Sequence, residues 1–141
     1  MTAKEIIPTL LQACPEFRPT WEQHLAHWGN DERGDYIDMS AFAHFLIDSY
    51  KSHRRECLPK AFQSIEDMLH ADNDEVYQLL TVGLLEDILV ISSHMWRNPF
   101  PKWLGPKSKS AWLEIEKTWE GKSTLADVIR AERNNQQSGA R

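Results

Sequence analysis

Only two of the 141 residues are cysteine, Cys14 and Cys57, and neither lies in a C-x-x-C pair, so the chain has neither a disulfide framework nor a thioredoxin-type motif. Each sits on the apolar stripe of an expected helix, where a thiol serves as a small buried hydrophobe. No uncharged apolar run approaches the ~18 residues of a membrane span, because Glu86 and Asp87 interrupt the longest one. The segment from Met1 to Pro8 lacks the apolar stretch and cleavage site of a secretory signal, so the expected compartment is the cytoplasm. An excess of positive charge is missing too. A formal charge of -5 speaks against nucleic acid or an anionic membrane as partner. Walker, G-x-S-x-G, H-E-x-x-H and G-x-G-x-x-G motifs are absent, and no cofactor is expected.

What the chain does have is 41% hydrophobic and 26% charged residues, enough to bury one core. Period-two alternation is not sustained anywhere, whereas helical spacing recurs. Ile6, Ile7, Leu10, Leu11 and Cys14 mark a first helix. A second runs to Trp28, with Thr20 as its expected N-cap and Gly29 as its stop. Asp38 or Ser40 is expected to cap a third, whose inner face reads Phe42, Phe45, Leu46 and Tyr50. Pro59 opens a fourth in which Leu58, Ala61, Phe62, Ile65, Met68 and Leu69 fall on one stripe. From about 74 to 96 the apolar positions cover nearly the whole circumference at 100° per residue, predicting a central helix buried on all sides. Gly83 within it points to a close helix crossing. Pro106 starts a helix carrying Trp112, Ile115 and Trp119. Thr124 and Asp127 form a capping box for a last one with Leu125, Val128 and Ile129. The expectation is a single all-α domain over residues 1–134, with six to seven helices packed as antiparallel hairpins around the central one and residues 135–141 as a disordered tail.

Candidate chemistry is sparse. His24 and His27 are three apart on one helix, but a metal site needs further ligands at compatible spacing, and no metal is expected. Glu86 and Asp87 are assigned structural roles, because a carboxylate in a buried helix must find a cation or a donor. Adjacent positions point about 100° apart, which disfavours a catalytic dyad.

Charge is distributed unevenly. Residues 1–100 contain 16 acidic and 8 basic residues, net -8, and residues 101–141 contain 5 and 8, net +3. The acids gather in two groups, Asp31, Glu32, Asp35 and Asp38 around one loop, and Glu66, Asp67, Asp72, Asp74 and Glu75 around another. Such surfaces speed encounter with a basic partner, while a few aromatic anchors supply most of the affinity. Tyr36, within the first group, and Trp103, in a proline-rich connector, are the expected anchors.

Pro15-Glu16-Phe17 followed by Glu22-Gln23-His24, the stretch from Val82 to Ile88, and Leu104-Gly105-Pro106-Lys107-Ser108 ahead of Trp112 resemble a family of small all-helical bacterial proteins without an assigned activity. The likeness spans most of residues 10–121 and departs from the family pattern between Gly34 and Ser40. Members are often encoded beside polymorphic toxins, which implies an immunity protein, not an enzyme, that occludes a cognate cytosol-acting toxin. The alternative is a helical adaptor or homo-oligomer. A small metal-dependent hydrolase using His24, His27, Glu86 or Asp87 ranks last.

Overall fold

The strongest amphipathic stripe in the chain becomes the helix Leu58–Leu69, whose inner positions Leu58, Ala61, Phe62, Ile65, Met68 and Leu69 are all buried. The computed structural model describes residues 1–119, and within them six helices and no strand form a single all-α domain. In chain order α1 is Ile6–Ala13, α2 Arg18–Trp28, α3 Asp35–Lys51 and α4 Leu58–Leu69. Helix α5 runs continuously from residue 74 to 92, and α6 covers 106–119. Short 3-10 turns occupy Ala3–Glu5, Pro15–Phe17 and Phe100–Trp103. The expected helix at Thr124, Leu125, Asp127, Val128 and Ile129, and the expected tail 135–141, lie outside the described residues.

Two aromatic groups anchor the packing. Phe17 meets Phe42 edge-on, with centroids 4.9 Å apart, and Phe45 at 5.1 Å, joining the second 3-10 turn to α3. Phe100 packs on Tyr50 and Phe62, which ties the last turn to α3 and α4. Helix α2 is the exception to this economy, for no residue of it is fully buried. Such a helix must be held by polar and ring contacts at its edges.

Two boundaries differ from expectation for identifiable reasons. Helix α3 begins at Asp35, and Asp38 lies within its first turn, so neither Asp38 nor Ser40 is its cap. The Asp38 carboxylate is instead occupied by Arg33 and His24. Helix α2 likewise starts at Arg18, with Pro19 in its first turn, and Thr20 caps nothing. Its end does fall at Gly29, whose φ of +56° is a left-handed value that glycine adopts without a Cβ penalty.

Helix α5 is not buried on all sides: Tyr77, Val82 and Val90 are 44%, 52% and 38% exposed. Its middle, Leu79–Leu85, is π-helical, flanked by α-helical Asp74–Gln78 and Glu86–Ser92. Bonding from i to i+5 inserts one residue into the winding. The buried positions Val76, Leu80, Leu84, Ile88 and Ser92 are four apart throughout, as are the outward Gln78, Val82, Glu86 and Val90. In an uninterrupted α-helix the outward row would rotate by about 120° from Gln78 to Val90; with one residue absorbed it rotates by about 20°. Four-residue spacing therefore makes straight stripes here, where a uniform 100° wheel smears them around the helix. The rod ends at Ser92 and not near Trp96, and a backbone reversal at Arg97, φ +52°, follows.

Gly83 lies at a close crossing: a Cβ there would stand 3.2 Å from Met39 Cγ and from Tyr36 Cδ1 on α3. Among the described residues, no helix is long and apolar enough to cross a membrane.

Candidate partner-binding surface

The head of α3 divides its side chains sharply. Gly34 enters the helix in an extended conformation, and Asp35 and Asp38 occupy the first turn, where negative charge meets the exposed amides favourably. Asp38 and Met39 turn inward and are buried. Tyr36 and Ile37 turn outward, 48% and 40% exposed, and Asp31, Glu32 and Asp35 around them are exposed too. The result is an apolar pair inside an acidic margin. Tyr36 is not loose on the surface, because its ring leans against the Gly83 backbone of α5.

Asp38 is the structural member of this group. Its Oδ1 accepts from Arg33 Nε at 2.8 Å and from His24 Nε2 at 2.9 Å. Because a carboxylate only accepts, the His24 proton in this contact sits on Nε2. His24 in turn stacks on Trp21, with centroids 5.3 Å apart, and Arg33 lies 5.5 Å from the centre of the same indole. Asp38 thus holds the otherwise unburied α2, and its expected place on an open binding surface is corrected.

The second acidic group splits in the same way. Asp67, Asp72, Asp74 and Glu75 are exposed, with Asp67 accepting from Gln63 at 2.9 Å. Asn73 caps α5 by accepting from the amides of Glu75 and Val76, and its side-chain amide donates to the Met1 carbonyl. The next residues of the chain, Ala3 and Lys4, line a cleft with Asp35 and Asp38. The N-terminal turn therefore reaches from one acidic group to the other.

Glu66 leaves the surface altogether. It is 6% exposed and accepts from the amides of Lys107 and Ser108 and from the Ser108 hydroxyl, at 3.1, 2.9 and 2.9 Å, so it caps α6. His70 donates at 3.1 Å to Oε2, the oxygen that also takes the Lys107 amide, while Ser108 occupies Oε1. Burial pushes the Glu66 carboxyl up, but the Ser108 and Lys107 amides, the Ser108 hydroxyl and His70 outweigh it and hold the group below its ordinary range. Gly105 makes the approach possible, since a Cβ there would stand 2.6 Å from Glu66 Cδ.

Trp103 is likewise no free anchor. Its ring stacks on Phe62 at 6.1 Å with 14° between planes, touches Tyr50 and Phe100, and carries the Lys102 ammonium over its outer face at 4.4 Å. The flanking Lys102 and Leu104 gave no sign of these distant partners.

Glu86 and Asp87 diverge around α5. Glu86 accepts from Trp119 Nε1 at 3.1 Å, joining α5 to α6. Asp87 faces α3, where Ser40 and His44 both act to lower its carboxyl value. Burial nevertheless pushes its carboxyl above the ordinary value, with the Glu86 charge adding to the rise. Between α5 and α6 runs a groove of about 460 Å³ with Tyr77, Val82, Glu86, Ile115 and Trp119 in its walls. Of the exposed Ile37, Tyr77 and Val82, the sequence singles out none as surface: Val82 counts in the all-round apolar helix, and Ile37 falls ahead of the expected cap of α3.

His24 is committed to Asp38, and His27 is exposed on the outside of α2. Among the described residues, metal-type ligands approach one another at Cys14, Glu16 and Cys57, whose ligand atoms lie within 4.8 Å. Both cysteines are buried, and Glu16 is exposed.

Residues 7–120 match the family described as a domain of unknown function (DUF7674). No curated protein and no solved structure matches the chain.

Proposed function

The chain belongs to the DUF7674 family, and we propose that it is an immunity protein that neutralises a cytosol-acting bacterial toxin by covering its active site or substrate surface. One observation carries the reading: Tyr36 and Ile37 stand exposed inside the acidic margin of Asp31, Glu32 and Asp35. An aromatic and an aliphatic anchor with a charged rim is the arrangement that protein interfaces use, the anchors giving affinity and the rim giving encounter rate. The acidity selects a partner with a basic surface. Helix α3 supports the patch rigidly, because Met39, Phe42 and Ala43 behind it are buried. Nothing in this role requires turnover, a metal or a cofactor. The departure from the family pattern between Gly34 and Ser40 coincides with the exposed patch, as recognition of one cognate toxin requires. The toxin context itself comes from the resemblance noted in the sequence.

Co-expression with the adjacent open reading frame tests the proposal. A toxic neighbour whose effect this protein relieves is the expected outcome, and a harmless or unrelieved neighbour overturns it. In a purified pair, Asp31→Lys, Glu32→Lys and Asp35→Lys together lower the association rate at least about tenfold and flatten its salt dependence. Tyr36→Ala chiefly speeds dissociation. Unchanged kinetics in both variants move the interface elsewhere. If the protein instead self-associates in light scattering and ignores its neighbour, the adaptor or homo-oligomer reading replaces this one.

A further inference from the structure

The two cysteines, 43 residues apart in sequence, meet where α1 ends and α4 begins. Cys14 follows Ala13 at the end of α1, and Cys57 is the residue from which α4 starts. Both are free and buried, their sulfurs lie within 4.8 Å, and the Cys14 thiol donates to the Cys57 carbonyl at 3.4 Å. A disulfide needs about 2.05 Å between sulfurs, so the two thiols, already within 4.8 Å, must approach further to form one.

The pair is asymmetric. Cys57 borders a small cavity of about 140 Å³ that it shares with Glu16, Phe45, Ser49, Arg54 and Glu56, whereas Cys14 is fully buried behind it. The neighbouring Cys57 and burial both push the Cys14 thiol up, whereas the neighbouring Cys14 lowers the Cys57 thiol against the opposing effects of burial and Glu16. The cavity admits a molecule of a few atoms, and with Glu16 and Glu56 set against Arg54 its wall has no excess of positive charge to draw an anion.

The geometry points to Cys14 and Cys57 being a dithiol that a small neutral peroxide closes to an intramolecular disulfide, with Cys57 as the attacking and Cys14 as the resolving sulfur. The Cys57 thiolate attacks one peroxide oxygen, the O–O bond breaks, and the departing hydroxide takes up the proton Cys57 had released, leaving as water. Cys57 is then a sulfenic acid. The Cys14 sulfur displaces its hydroxyl, which leaves as a second water with the Cys14 proton, and the S–S bond forms. Two electrons pass from the two thiols to one peroxide. The bond ties the end of α1 to the start of α4.

Intact-mass analysis of the wild-type chain after stoichiometric hydrogen peroxide tests this directly. The expected result is loss of two hydrogens and of both titratable thiols, full recovery with dithiothreitol, and a higher thermal midpoint for the oxidised form. Cys14→Ser should accumulate a Cys57 sulfenic acid that dimedone traps, while Cys57→Ser should keep its thiol. Oxygen addition to wild type without hydrogen loss overturns the assignment, as does retention of both thiols. A dimedone adduct on Cys14 in Cys57→Ser overturns the order of the two sulfurs. None of these readouts depends on a toxin.

Discussion

The acidic groups at the head of α3 and before α5 are alike in sequence and divide alike in space, yet the joints they make differ. Each turns one carboxylate inward and leaves the rest in solvent. Asp38 binds side chains, those of Arg33 and His24, that are its nearer neighbours in the chain. Glu66 binds backbone amides 41 and 42 residues away. Side chains can rotate toward water when a partner is lost, whereas amides in the first turn of a helix cannot. The Glu66 joint is accordingly the more costly to break, and the Asp38 joint the more adaptable.

Replacing Glu66 with Ala should produce the largest loss, about 3 kcal/mol in chemical denaturation, since it orphans two amides and a hydroxyl at a buried helix start. The pH dependence sharpens the point. The folded-state value of Glu66 is depressed, so its contribution is complete above the unfolded carboxylate range and is lost as pH falls through the folded value. Glu66→Gln should lack that portion of the acid transition. Gly105→Ala comes next, at about 2 kcal/mol, because the new methyl meets a carboxylate pinned by four donors. Should Gly105→Ala prove neutral in a thermal melt, the α6 cap is softer than its geometry implies.

Asp38→Ala should cost less, about 1–2 kcal/mol, and act locally. Hydrogen exchange should quicken in α2, which has no buried residue of its own, and hardly change in α4. Equal acceleration in both helices would erase the contrast between the joints. Asp87→Asn should have the smallest effect, a gain of less than about 1 kcal/mol at neutral pH. The folded-state value of Asp87 is raised, so the wild type gains stability as pH falls through it, and the advantage of Asn should fade in acid.

Much of the architecture is legible in the sequence because it rests on local periodicity and caps. Helix α4 follows its apolar stripe, Gly29 ends α2, and Pro106 opens α6. Gly83 stands at a close crossing, where a small residue inside an apolar helix had pointed. The faces of α5 were not legible, since no residue type announces an i to i+5 turn, and one inserted residue displaces every later position. The inward roles of Glu66 and Trp103 depend on Ser108 and Phe62, contacts that local spacing does not encode. Tyr36 stood out because an aromatic ring among acids is conspicuous at any distance. Ile37 beside it did not, for the helix is expected to begin only after it, and its place on an exposed helix face follows from the earlier start at Asp35.

The cap on α6 also bears on the order of assembly. The first turn of that helix borrows its acceptor from α4, so residues 106–119 do not form a self-sufficient hairpin arm that could be excised, grafted or synthesised alone. During synthesis α4 leaves the ribosome some forty residues before the amides it will receive. Until then Glu66 has only His70 and water, and nothing penalises its staying solvated. Closure of this joint is therefore a late event, one that registers in how slowly the finished protein opens more than in how quickly it first collapses.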